Sequence, residues 1–173
     1  ILVTSSLVQV GQDLYQFYIP VYGYGIGLSA SAIGGLLATL AAASFVVRFF
    51  LPWLVARLGD ERVLAFSFYV SAIGFGLAPF FESVVMLAVV SFMFGLGMGC
   101  GQPITTMLIF SRSAEGRSGE TLGLRQSVNN AMRVSAPAVF GFVATAFGLP
   151  PVFWISAIMM GGGGILSRPR RKG

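Results

Sequence analysis

The sequence predicts an all-α polytopic membrane bundle with about six spans. Three observations carry this. Only 10% of its 173 residues are charged against 55% hydrophobic, where a soluble domain carries about 25% charged residues. A chain so poor in charge cannot clothe itself in a water-facing exterior. Apolar stretches of about 20 residues, the length that crosses a bilayer, recur along the whole chain, and the connections between them alternate between nearly uncharged and strongly basic.

The stretches fall at about 1–22, 30–55, 63–80, 84–110, 122–147 and 151–166. Pro20 interrupts the first, and the glycine-rich run Gly23 to Gly27 closes it. Ser29 is placed to cap the second. A break at Glu82 and Ser83 precedes the fourth, and Gly148, Pro150 and Pro151 precede the sixth. Residues 1–167 then form one six-helix domain, with 168–173 a basic tail.

Basic residues concentrate in every second connection. Arg57 and Arg62 flank the link between the second and third spans. Arg112, Arg117 and Arg125 surround the link between the fourth and fifth, and Arg168, Arg170, Arg171 and Lys172 form the tail. Cytoplasmic loops are enriched in Lys and Arg, so these three are expected in the cytoplasm, with the protein in the cell membrane. The formal charge of +5 is therefore topological, with some attraction to anionic lipid, and no nucleic-acid partner is expected.

The absence of histidine and the single Cys100 remove the commonest metal ligands and exclude a disulfide framework within the chain. No metal or cofactor is expected. The 23 glycines follow no short period, which argues for close helix packing rather than low complexity. Gly95, Gly97, Gly99 and Gly101 give two overlapping small-xxx-small pairs of that kind. Ile1 begins inside an apolar run without a charged leader, so the chain is expected to start part-way through a longer protein.

Polar groups at membrane depth are costly unless paired or facing water. Gln9, Gln12, Asp13 and Gln16 fall at i, i+3, i+4 and i+7, on one face of the first span. Gln126, Asn129, Asn130 and Arg133 share a face of the fifth, and Gln102, Thr105 and Thr106 form a weaker group on the fourth. A lone hydroxyl bonds back to its own helix. Three glutamines with an aspartate carry more donors and acceptors than dry packing satisfies, which points to a water-filled cavity. Asp13 and Arg133 lie near mid-span. They form either a structural ion pair or a working pair, in which Asp13 takes a proton or cation and Arg133 takes an anion or tunes Asp13. Arg48 is expected to snorkel to the cytoplasmic interface. The third and sixth spans carry no charge within them and are expected to be peripheral and lipid-facing.

The segment Pro52-Trp-Leu-Val-Ala-Arg-Leu-Gly-Asp-Glu-Arg-Val-Leu64 resembles the signature loop of the major facilitator superfamily in its weaker second-half copy. Leu54, Arg57 and Gly59 match that loop. Pro52 and Ala56 depart from it, and Asp60 and Glu61 stand where basic residues are usual. The run Phe94-Gly-Leu-Gly-Met-Gly-Cys-Gly-Gln-Pro103 is similar to the family's tenth helix, and Gly119 through Gly141 to its eleventh. The resemblance implies helices seven to twelve of a twelve-helix secondary transporter. Its substrate cavity lies between two six-helix halves, lined by the first and fourth helix of each repeat pair. Carried over, Asp13, Gln9, Gln12, Gln16, Gln102, Asn129, Asn130 and Arg133 are candidates for the substrate or proton pathway, and Arg57 and Gly59 for loop gating. The partners implied are a small-molecule solute, membrane lipid, and the other six-helix half or a second copy of this chain.

Two other classes compete. A non-transporting scaffold or receptor subunit would use the stripes only to associate helices. An enzyme is disfavoured by the lack of histidine, paired carboxylates and a phosphate loop.

Overall fold

A computed structural model describes residues 2–112 and 118–167. Among them are six α-helices and no strand: α1 (Leu2–Gly25), α2 (Ala30–Leu58), α3 (Asp60–Leu77), α4 (Val84–Arg112), α5 (Ser118–Phe147) and α6 (Leu149–Leu166). Observed ends lie within a few residues of those expected. The loop at 113–117, with its base Arg117, and the tail at 168–173 lie outside the described residues.

Local chemistry sets the junctions. Ser29 caps α2, its Oγ accepting from the Ala32 N–H at 3.2 Å, which satisfies one of the orphan donors of a helix start. Gly59 alone separates α2 from α3. Its φ of +82° is a region where a side chain is strained, and its N–H donates to the Val55 carbonyl at 2.8 Å. Asp60 and Glu61 occupy the first turn of α3, where negative charge complements the helix dipole. The signature loop's departures from its usual basic residues thus have a local electrostatic use. A 3-10 turn at Ala78–Phe80 follows α3. It is pinned to α1 by the Tyr22 hydroxyl, which donates to the carbonyls of Pro79 (3.2 Å) and Phe81 (3.3 Å).

α4 forms the spine. It packs along α2 and α3, while α3 also packs on α6, and α1 sits across α4, α5 and α6. Glycine makes this approach possible. A methyl at Gly95 would meet the Leu40 carbonyl oxygen at 2.5 Å, at Gly97 the Ser67 carbonyl oxygen at 2.7 Å, at Gly99 the Ser44 Cα at 2.8 Å, and at Gly101 the Val8 Cγ1 at 2.8 Å. Four glycines thus seat three different helices.

An aromatic cluster fills the centre. Tyr15 stacks on Phe94 with centroids 4.0 Å apart, and Phe75 meets both edge-on at 5.4 and 4.9 Å. Phe153 closes the cluster against Phe75 and Tyr22. Edge-on and offset pairs add to area burial, and Ser91 meets the Tyr15 hydroxyl at 3.0 Å.

α3 is not peripheral to this bundle. Phe68 and Phe75 are fully buried, and half of its spanning window is enclosed against 22% for α2. Freedom from charge marks α3 as apolar, but helix-facing and lipid-facing surfaces are equally apolar, so that signal cannot separate them. α2 instead presents Phe45, Phe49 and Trp53 to the outside. By length and hydropathy, four helices (α2, α3 with its 3-10 turn, α4 and α6) can cross a membrane. α1 and α5 carry the polar stripes, which lower their mean hydropathy.

Candidate functional site

The stripes of α1, α4 and α5 meet. The Gln102 side-chain amide on α4 donates to Gln9 Oε1 at 2.9 Å and to Gln12 Oε1 at 3.0 Å on α1. The Gln9 amide in turn straddles the Asp13 carboxylate, 3.1 Å from each oxygen. Arg133 of α5 approaches the same carboxylate, its Nε 3.3 Å from Oδ2. An unbroken line therefore runs from Gln12 through Gln102 and Gln9 to Asp13 and Arg133. Gln9 accepts from Gln102 and donates to Asp13, so the carboxylate polarises the Gln102–Gln9 bond. The ion pair is lopsided. The Asp13 side chain is 18% exposed and that of Arg133 63%, which places the cation on the open side of the bundle.

The α1 stripe divides between two roles. Gln9 is spent on Gln102 of α4 and on Asp13 of its own helix, whereas Gln12 and Gln16 face a pocket of about 500 Å³. Its opposite wall is α2, with Leu37, Ser44, Phe45 and Arg48. Gln12 belongs to both, joining the pocket to the charged pair.

On α5, Asn129 is 4% exposed and accepts from the Ser6 hydroxyl at 3.2 Å, so it ties α5 to α1. Asn130 is exposed and, among the described residues, meets Gln126 at 3.4 Å. Arg57 and Gly59 lie apart from this group, at the far end of α2. The Arg57 guanidinium lies over the Trp53 ring, 4.9 Å from its centroid, a cation–π contact.

Two arginines outside the expected set bond across the same helices. Arg125, expected among the loop bases, turns inward. Its Nε donates to the Ser5 hydroxyl and its Nη1 to that of Thr106 at 2.7 Å, with Nη2 3.4 Å from the Thr105 hydroxyl. One guanidinium thereby clasps α1, α4 and α5. Arg48 does not snorkel. It lies four residues from the middle of α2, about 6 Å at 1.5 Å per residue, lines the pocket, and donates from Nε to the Gly99 carbonyl at 3.2 Å.

A six-helix bundle whose first, fourth and fifth helices converge on a mid-span line of amides and charges is the arrangement of a solute-transporter half. The sequence matches the Major Facilitator Superfamily over residues 1–173, and the chain belongs to that family of multi-pass membrane transporters, whose members carry small solutes. It is similar to the quinolone resistance protein NorA of Staphylococcus aureus strains Mu50, N315 and MW2, with 27% identity over 155 residues in each case. The match covers 88% of this chain and 39% of each relative, so the chain spans about two fifths of the length of the curated relatives it matches.

Proposed function

We propose that the chain is one half of a secondary transporter that moves a small solute by alternating access, with Asp13 as the site of proton coupling. All six helices cross the cell membrane in this reading, and the basic connections and C-terminus face the cytoplasm. The observation that carries it is the line of contacts from the pocket to the ion pair. Solute entering beside Gln12 competes for the Gln102 amide, and any change there reaches Asp13 through Gln9. Protonating Asp13 removes its charge and releases Arg133, which loosens α5 from α1.

The other wall of the pathway comes from a second six-helix half, or a second copy of this chain. The outward faces of α2 and α5 suit that docking, since they expose Phe45, Phe49, Val139 and Phe142. The relatives are named for quinolone resistance, and export of an aromatic drug-like solute would give this chain the same use.

The test is Asp13→Asn in the intact protein, reconstituted in vesicles with an imposed pH gradient. Solute accumulation driven by the gradient should vanish while downhill exchange persists. Unchanged dependence on the gradient would remove Asp13 as the coupling site. For orientation, Arg62→Cys should be modified by an impermeant maleimide only from the cytoplasmic side, and labelling from outside alone would invert the topology.

A further inference from the structure

The pocket between α1 and α2 holds a cation that the Asp13 pair does not neutralise. Its lining includes Gln12 and Gln16 from α1 and Leu37, Ser44, Phe45 and Arg48 from α2, without a carboxylate. Arg48 is held by its inner nitrogen alone, Nε on the Gly99 carbonyl at 3.2 Å. Among the described residues, Nη1 and Nη2 have no partner. Asp13, the nearest acid along α1, is engaged by Gln9 and by Arg133.

Resting on the transporter reading above, we propose that this pocket is an anion subsite that takes the carboxylate of an amphiphilic organic solute against Arg48. A guanidinium fixed at Nε offers its two outer N–H groups as a fork, the geometry a planar carboxylate accepts in bidentate fashion. Gln12, Gln16 and Ser44 supply neutral donors beside it. Leu37 and Phe45 suit an apolar or aromatic body, and about 500 Å³ lies within the range of about 300–1,000 Å³ of small-molecule sites. Lipid headgroups are too distant. Arg48 sits about 6 Å along the helix from mid-span, whereas the headgroup boundary of a hydrocarbon core about 30 Å thick lies about 15 Å from its centre. Arg48 and Asp13 then divide the labour, one holding a fixed solute charge and the other a mobile proton.

The test measures binding of 1-naphthoate and its neutral counterpart 1-naphthamide to the intact protein in detergent, by titration calorimetry. Wild type should bind naphthoate at least about tenfold more tightly than naphthamide, the scale of a hydrogen-bonded charge. Arg48→Gln should erase that preference while leaving naphthamide unchanged, and Arg48→Lys should restore part of it. Gln16→Glu sets a rival carboxylate in the same pocket and leaves the Arg48–Gly99 bond intact. It should weaken naphthoate by a similar factor and spare naphthamide, so the test survives a misfolded Arg48 variant. Equal affinity for the two probes, no binding of naphthoate, or a preference that survives both Arg48→Gln and Gln16→Glu would each overturn the anion subsite. The transporter reading stands or falls separately on gradient-driven movement of solute.

Discussion

Arg48 of α2 fills the place of the amide hydrogen that Pro103 of α4 lacks. Within a helix the N–H of residue 103 would donate to the carbonyl of residue 99, and proline removes that donor. The Gly99 carbonyl instead receives Arg48 Nε at 3.2 Å. A proline in one helix thus creates the acceptor that orients a cation on another.

The pair predicts a coupled response. Pro103→Ala returns an N–H to the Gly99 carbonyl, which then competes with Arg48. In a double-mutant cycle of Pro103→Ala with Arg48→Gln, followed by thermal and denaturant stability in detergent, the interaction should be about 1 kcal/mol. Additive effects would show that the two residues act independently.

Asp13 and Arg133 should couple as well. The exposure of Arg133 limits the pair to the scale of a screened ion pair, about 1 kcal/mol or less. Asp13→Asn keeps an oxygen acceptor for Gln9, so it isolates the charge. A cycle with Arg133→Gln should show that coupling fading as salt is raised, and a salt-independent value would point to packing instead.

Arg125 should not tolerate lysine. Its three nitrogens reach Ser5, Thr105 and Thr106 in a fixed fork, and a single ammonium cannot span them. Arg125→Ala should cost about 1–3 kcal/mol, with Arg125→Lys recovering less than half of it. Faster backbone hydrogen exchange at the start of α5 is the accompanying signature.

Glycines on α4 and α5 should differ in sign. Gly97→Ala drives a methyl into the Ser67 carbonyl oxygen at 2.7 Å and should cost about 1–3 kcal/mol. A methyl at Gly123 would enter open space, with no neighbouring atom within 4 Å, so Gly123→Ala should gain up to about 1 kcal/mol from helix propensity. Melting temperatures of the two variants in one detergent decide it.

Helix positions and the Ser29 cap were legible because they depend on neighbours in sequence: apolar length and a hydroxyl before a run. The i, i+3, i+4, i+7 stripe on α1 likewise announced a polar face. Its division was not legible, because whether Gln9 is bonded or Gln16 is free depends on Gln102, about 90 residues away. Arg48 was misplaced for the same reason. Its partner is a carbonyl freed by a proline on another helix, and no pattern within α2 records that. The inward turn of Arg125 required the hydroxyls of Ser5 and Thr106, which belong to two other helices.

The glycines of α4 also order the making of this protein. α2 and α3 leave the ribosome before α4, yet these two touch each other little and each packs along α4. Until α4 emerges, the surfaces around Leu40 and Ser67 lack Gly95 and Gly97, which they receive in the finished bundle. Helices already inserted then associate by close packing, and the arriving glycine ridge is what they close upon. A nascent chain halted after α3 holds α2 and α3 without the helix that joins them, so quality control would meet this pair unassembled until translation has passed residue 101.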